Sequence, residues 1–168
     1  MSRVSRRARN RPHTTWLRDL ILGGQDGLVN VLGISLGLSA VSDDVRVVIA
    51  AGLAATFAES ASMGAVAYTS SLAVPGADKR EVRRTTLIVT VSTLLGSILP
   101  LLPFFVLRRW PALIASVVLS GFALFTMGAY EGVTSKRSWL GMGIQLTVIG
   151  LGAALVGFLA GRIFNAVG

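Results

Sequence analysis

Long apolar runs separated by short polar breaks dominate the chain. They predict five membrane-spanning helices, over about residues 17–41, 45–73, 85–107, 111–133 and 139–164. Each run meets or exceeds the ~20 residues that an α-helix needs to cross ~30 Å of hydrocarbon. The breaks are Ser42-Asp43-Asp44, a link from Val74 to Arg84 that holds Pro75 and Gly76, the turn Arg108 to Pro111, and Lys136 with Arg137. The first run follows a basic stretch, as a signal peptide would. It is longer than an h-region of ~7–15 residues and carries Asp26, so it reads as a retained helix. Pro100 and Pro103 fall inside the third run, where neighbouring helices can absorb the lost hydrogen bonds.

Composition narrows the class. A hydrophobic content of 52% with 14% charged residues and a mean hydropathy of +0.68 exclude a soluble domain around a single core. The predicted fold is an all-α polytopic membrane protein, with residues 1–16 a basic cytoplasmic arm and 17–168 the five-helix domain. The net charge of +8 changes the picture only by its placement, because the sixteen Lys and Arg sit beside apolar runs, as topology-setting loops do. Nucleic acid is therefore not the predicted partner; the lipid bilayer is. With the N-terminus inside, the cytoplasmic segments hold twelve of these cations. Arg46, Arg108, Arg109 and Arg162 lie on the other side, which predicts a cytoplasmic N-terminus. The absence of Cys removes disulfides and thiolate metal sites. His13, beside Pro12 in the arm, reads as solvated. The abundance of Arg, Ala and Gly suggests a bacterial chain and hence the plasma membrane. The chain is not read as an enzyme.

Candidate chemistry lies inside the spans. Glu59 is the only charged residue between Arg46 and Ala73, about a dozen residues from either end, and so falls near the bilayer midplane. A carboxylate there costs at least ~2.5 kcal/mol, so it needs a partner, a wet cavity or a proton. The first span carries Gln25, Asp26 and Asn30 within LILGGQDGLVNVLG. Asp26 lies ~13 Å from the start of its span and Met63 ~15 Å from the same side of the antiparallel second span, which puts both at one level. Met63 is also one turn from Glu59 on the same helix face. Two carboxylates and a thioether suit a divalent ion of intermediate softness, such as Fe(II) or Mn(II), and the same carboxylates can carry protons when the metal leaves. The competing reading makes the acids packing hydrogen bonds and Met63 a gap filler. Tyr130 and Glu131, near the end of the fourth span, are further candidates, Glu131 being read equally as solvated or paired with Lys136 or Arg137. Gly33-x-x-x-Gly37 and Ala153-x-x-x-Gly157-x-x-x-Gly161 are close-approach patterns that suit tight packing and a homodimer.

These stretches resemble the vacuolar iron transporter family, which includes nodulin-21-like proteins and bacterial members. The resemblance rests on RDLILGGQDGLVNVLGISLG at Arg18–Gly37, AGLAATFAESASMGAVAY at Ala51–Tyr68 and GSILPLLPFF at Gly96–Phe105. It implies a five-helix protomer, assembled as a dimer, that moves Fe(II) and sometimes Mn(II) out of the cytosol in exchange for protons. The ion is then a transported substrate, with no cofactor. The family's first-helix aspartate falls on Asp26, and its second-helix glutamate and methionine fall on Glu59 and Met63. Two departures stand out. Many members have Gly-Glu-Tyr where this chain has Val66-Ala67-Tyr68, which leaves Tyr68 as a candidate without its acid. The long acidic insert that some members carry is here only the Val74–Arg84 link. The expected function is a proton-coupled divalent metal exporter. A non-transporting scaffold or accessory subunit of the same fold, or a carrier of another cation or small solute, is the alternative.

Overall fold

A computed structural model describes residues 15–167. Most of the basic arm, including His13, lies outside the described residues. The helices are α1 (Thr15–Val41), α2 (Val45–Leu72), α3 (Lys79–Ile98), α4 (Arg109–Thr134) and α5 (Trp139–Val167), with a 3₁₀ segment, Leu99–Phe105, extending α3. No strand occurs among the described residues. All five helical segments, the third counted with its 3₁₀ extension, are long and apolar enough to cross a membrane. The protein is an all-α polytopic membrane protein.

α1 is the hub. It packs most extensively on α3 and α5, and more lightly on α2 and α4, while α2 rests against α3 and α4 against α5. Leu28, Val31, Leu32 and Ser35 of α1 are fully buried as a result. Small residues make these approaches possible, as expected where lipid gives helices no hydrophobic reason to associate. A Cβ added at Gly96 of α3 would run into the Gly24 backbone of α1. At the other end of α1, a Cβ on Gly37 would lie 3.0 Å from the Gly157 carbonyl oxygen of α5. The two glycine patterns that suggested a homodimer thus meet each other inside one chain. They are used for the α1–α5 seam and do not mark a surface for a second copy. Buried hydroxyls turn back on their own helices: Thr56, Ser60 and Thr93 donate to the carbonyls of Gly52, Thr56 and Val89 at 2.8, 2.6 and 2.8 Å.

The third helix differs from the expected span at both ends. It starts at Lys79, so the polar link shrinks to residues 73–78 and its four cations ride on the first turns of a helix. Asp78 causes this. Its side chain caps α3 by accepting from the Arg80 N–H at 3.0 Å, and Glu81 in the first turn offsets cations that oppose the helix dipole. At the other end the prolines do more than sit in an α-helix: Pro100 and Pro103 convert the last turns to 3₁₀. Pro100, Leu101, Pro103 and Phe104 are buried while Leu102 and Phe105 are exposed, the period of three that this helix type imposes. Ser116 of α4 donates to the Pro100 carbonyl at 2.7 Å.

The turn between α3 and α4 is anchored by Arg109, which forms an ion pair with Asp43, donates to the Ser39 carbonyl and lies 5.0 Å from the Trp110 ring centre. The Arg109 side chain is 20% exposed and that of Asp43 is 89% exposed. The buried end therefore carries the energy. Arg109→Ala should cost about 2 kcal/mol through the lost charged hydrogen bond, whereas Asp43→Asn should cost under about 1 kcal/mol. Thermal unfolding of the two variants in detergent checks the order.

Candidate functional site between the first two helices

The fully buried face of α2, Val48, Gly52, Thr56, Ser60 and Gly64, is turned inward; Gly52 meets Leu101 and Gly64 meets Thr90. Beside it runs a half-buried edge at every fourth residue: Ala51, Ala55, Glu59 and Met63. The spacing follows from 3.6 residues per turn. Glu59 sits at the middle of α2, and Asp26 and Asn30 flank the middle of α1. Reading inward from both ends of both helices therefore places these polar groups at mid-membrane depth.

The helices bring them into contact. Asn30 donates its side-chain amide N–H to Glu59 Oε1, and the Asp26 carboxyl lies within hydrogen-bonding reach of Glu59. Pairing of Asn30 with Glu59 fixes the antiparallel register, and one turn along, the same register sets Asp26 across from Met63. Two ionised carboxylates this close repel each other, and a shared proton or an intervening cation removes the repulsion. Among the described residues no third Asp, Glu or His joins them. A metal held here would thus take two carboxylates, with neutral donors such as the Met63 thioether for the rest of its shell.

The remaining candidates stand apart. Tyr68 is exposed and lies half a turn round α2 from Glu59. Tyr130 is exposed, and Glu131 is half-buried near the end of α4. No hydrogen bond among the described residues links any of the three to Asp26 or Glu59. Nor does Glu131 pair with Lys136 or Arg137: among the described residues the only ion pair is that of Arg109 with Asp43. Asn30 is the residue that the sequence singled out as unusual without giving it a role. Its signal was an amide within an apolar run, at the same depth as Glu59.

The site is open on one side. Asp26 and Glu59 are half-buried, Asn30 is exposed, and exposed Leu22, Ile34 and Val66 flank them on the outer faces of α1 and α2.

The chain is similar to several known proteins. Vacuolar iron transporter homolog 2 of Oryza sativa subsp. japonica is 25% identical, over 90% of this chain and 92% of its own length. An uncharacterized protein of Methanocaldococcus jannaschii is 29% identical over 88% and 89% of the two chains. Vacuolar iron transporter homolog 1 of Arabidopsis thaliana is 40% identical over a shorter stretch of 55 residues, 33% of this chain and 28% of that one. The model of the VIT family matches residues 17–87 and 73–162, which run from the start of α1 into the last turns of α5, and by that match the chain belongs to the VIT family.

Proposed function

We propose that this protein is a divalent metal transporter of the cell membrane that exports Fe(II), with Mn(II) as a second substrate, from the cytosol in exchange for protons. The observation that carries the reading is the contact of Asp26, Asn30 and Glu59 at mid-membrane depth, where unpaired carboxylates are costly and functional sites concentrate. A cation entering between Asp26 and Glu59 relieves the repulsion of the two carboxylates, with Met63 as a soft ligand one turn away. Protons arriving from the far side then displace the metal. Tyr130, Glu131 and Tyr68 belong to no step of this scheme. The charge distribution supports a cytosolic N-terminus. The open side of the site supports a homodimer in which a second copy covers the outer faces of α1 and α2, since charged groups left facing lipid would be penalised.

The test is metal entry into proteoliposomes of the purified protein with an acidic lumen, so that outward proton flow drives inward metal flow. Gradient-dependent Fe(II) uptake, reduced when the gradient is collapsed, is the expected result. Uptake of neither Fe(II) nor Mn(II) by an intact protein would favour a scaffold of the same fold. The short 73–78 link, which has no room for an acidic insert, is the observation on that side.

A further inference from the structure

A second feature lies on the other side of α1, away from the carboxylates. Leu20 and Gly24 of α1, Met127 of α4 and one stripe of α3 from Leu87 to Leu99 line a groove of about 500 Å³, with Ser92 its only polar side chain. The groove exists because Gly24 and Gly96 lack side chains where α1 and α3 cross; Met127 closes it, its methyl group 3.3 Å from where a Cβ of Gly24 would stand. From Leu87 to Leu99, α3 advances about 18 Å, slightly more than the ~15 Å of hydrocarbon in one leaflet. The cleft is thus as deep as one acyl chain is long.

Its upper end carries charge. Continuing the lining stripe of α3 by one helical turn, from Leu87 and Ile88, leads to Arg83 and Arg84, and by one more to Arg80. All three arginines are exposed, and none makes an ion pair among the described residues. Four acids stand at the same end, Asp78 and Glu81 beside the arginines on α3 itself. Asp19 of α1 lies beside Thr85 of α3, and Glu131 lies one turn beyond Met127 on α4. Arg18 and Lys79 raise the cations on α1 and α3 at this end to five, against those four acids, and the three guanidinium groups of α3 make no ion pair among the described residues. They stand at the level where α3 enters the bilayer, and so at the depth of lipid phosphates.

We propose that the α1–α3–α4 groove is a binding site for one anionic phospholipid, an acyl chain lying between Leu20 and Leu99 and the phosphate held by Arg80, Arg83 and Arg84. An apolar cleft alone would take any lipid. The basic row selects for negative headgroups, as clusters of cations beside membrane helices do.

The experiment is native mass spectrometry of the detergent-purified protein after incubation with equal amounts of phosphatidylglycerol and phosphatidylcholine. The expected result is one retained lipid with a preference of about 10- to 100-fold for phosphatidylglycerol, from three surface cations acting together, and weakened by salt. In R80Q/R83Q/R84Q the preference should vanish while one lipid of either kind is still retained. Leu95→Trp places a ring in the groove from an exposed position, without touching the helix crossing, and should reduce retention of both lipids at least about 5-fold, filling the cleft that a bound lipid needs. Equal retention of the two lipids by the unaltered protein, or an undiminished preference in the triple variant, overturns the proposal. So does undiminished retention in a folded Leu95→Trp protein, which would place the lipid elsewhere.

Discussion

Glu59→Gln is expected to abolish gradient-driven metal uptake by the reconstituted protein while leaving its folding intact. The substitution keeps shape and keeps an acceptor: the Gln side-chain carbonyl can still take the Asn30 amide proton that Glu59 Oε1 takes now. It removes only charge and the capacity to bind a proton. If the carboxylate served packing alone, its neutral isostere would leave transport untouched. It would also stabilise the bundle, because a carboxylate at this depth is a cost. A change of transport without loss of stability therefore separates function from scaffolding. Asn30→Ala makes a graded companion. It leaves both carboxylates in place but frees Glu59 from the group that orients it, and outer partners of this sort are commonly worth 10–100-fold in metal affinity. The half-saturating metal concentration should rise by about that factor, with the maximal rate less affected. Initial uptake rates against metal concentration, at constant reconstituted protein, decide both.

Gly96→Val should have the largest effect on stability. The added carbons meet the Gly24 backbone, which cannot rotate away as a side chain could, so α1 and α3 must separate along the most extensive contact of the hub. Overpacking of ordinary side chains costs about 1–3 kcal/mol. With backbone on the opposing side the cost should reach or pass the upper figure, and much of the protein should be lost from the monodisperse fraction on size-exclusion chromatography. Gly152→Ala on α5 is the matching control: a Cβ there meets nothing within 4 Å. It should be neutral or slightly stabilising through the better helix propensity of Ala. If Gly96→Val melts like Gly152→Ala, the crossing of α1 and α3 is looser than the close approach implies.

The five spans and the two acids were legible from sequence because each rests on a one-dimensional contrast: apolar against polar for the spans, one carboxylate against its apolar run for Asp26 and Glu59. The faces of the helices were not legible. In a soluble helix the buried stripe is the apolar one, but lipid is as apolar as a protein core, so the buried stripe of α2 reads Val48, Gly52, Thr56, Ser60, Gly64 and resembles the rest of the helix in hydropathy. That ambiguity hid the mutual pairing of the two glycine patterns and left Asn30 without a role. The start of α3 was missed for another reason. Arg80, Arg83 and Arg84 were read as loop by their charge, although Asp78 followed three residues later by Glu81 is a helix-start signal in its own right. Tyr130 and Glu131 were drawn toward the site by chemistry alone, with no positional constraint to tie α4 to α2.

The seven-residue 3₁₀ segment sets a phase. Each of its residues turns the chain by about 120° rather than 100° and advances it by about 2.0 Å rather than 1.5 Å, so over its length it adds about 140° of rotation and 3.5 Å of travel relative to an α-helix. Where the chain leaves the third span, and with which side turned inward, is thereby decided by two prolines. They position Arg109 to reach back to the end of α1 and Ser116 to meet the Pro100 carbonyl. Replacing both prolines with good helix formers would leave hydropathy almost unchanged and still present α4 to the bundle on a different face. In this protein the prolines act as an indexing step between two otherwise featureless apolar rods.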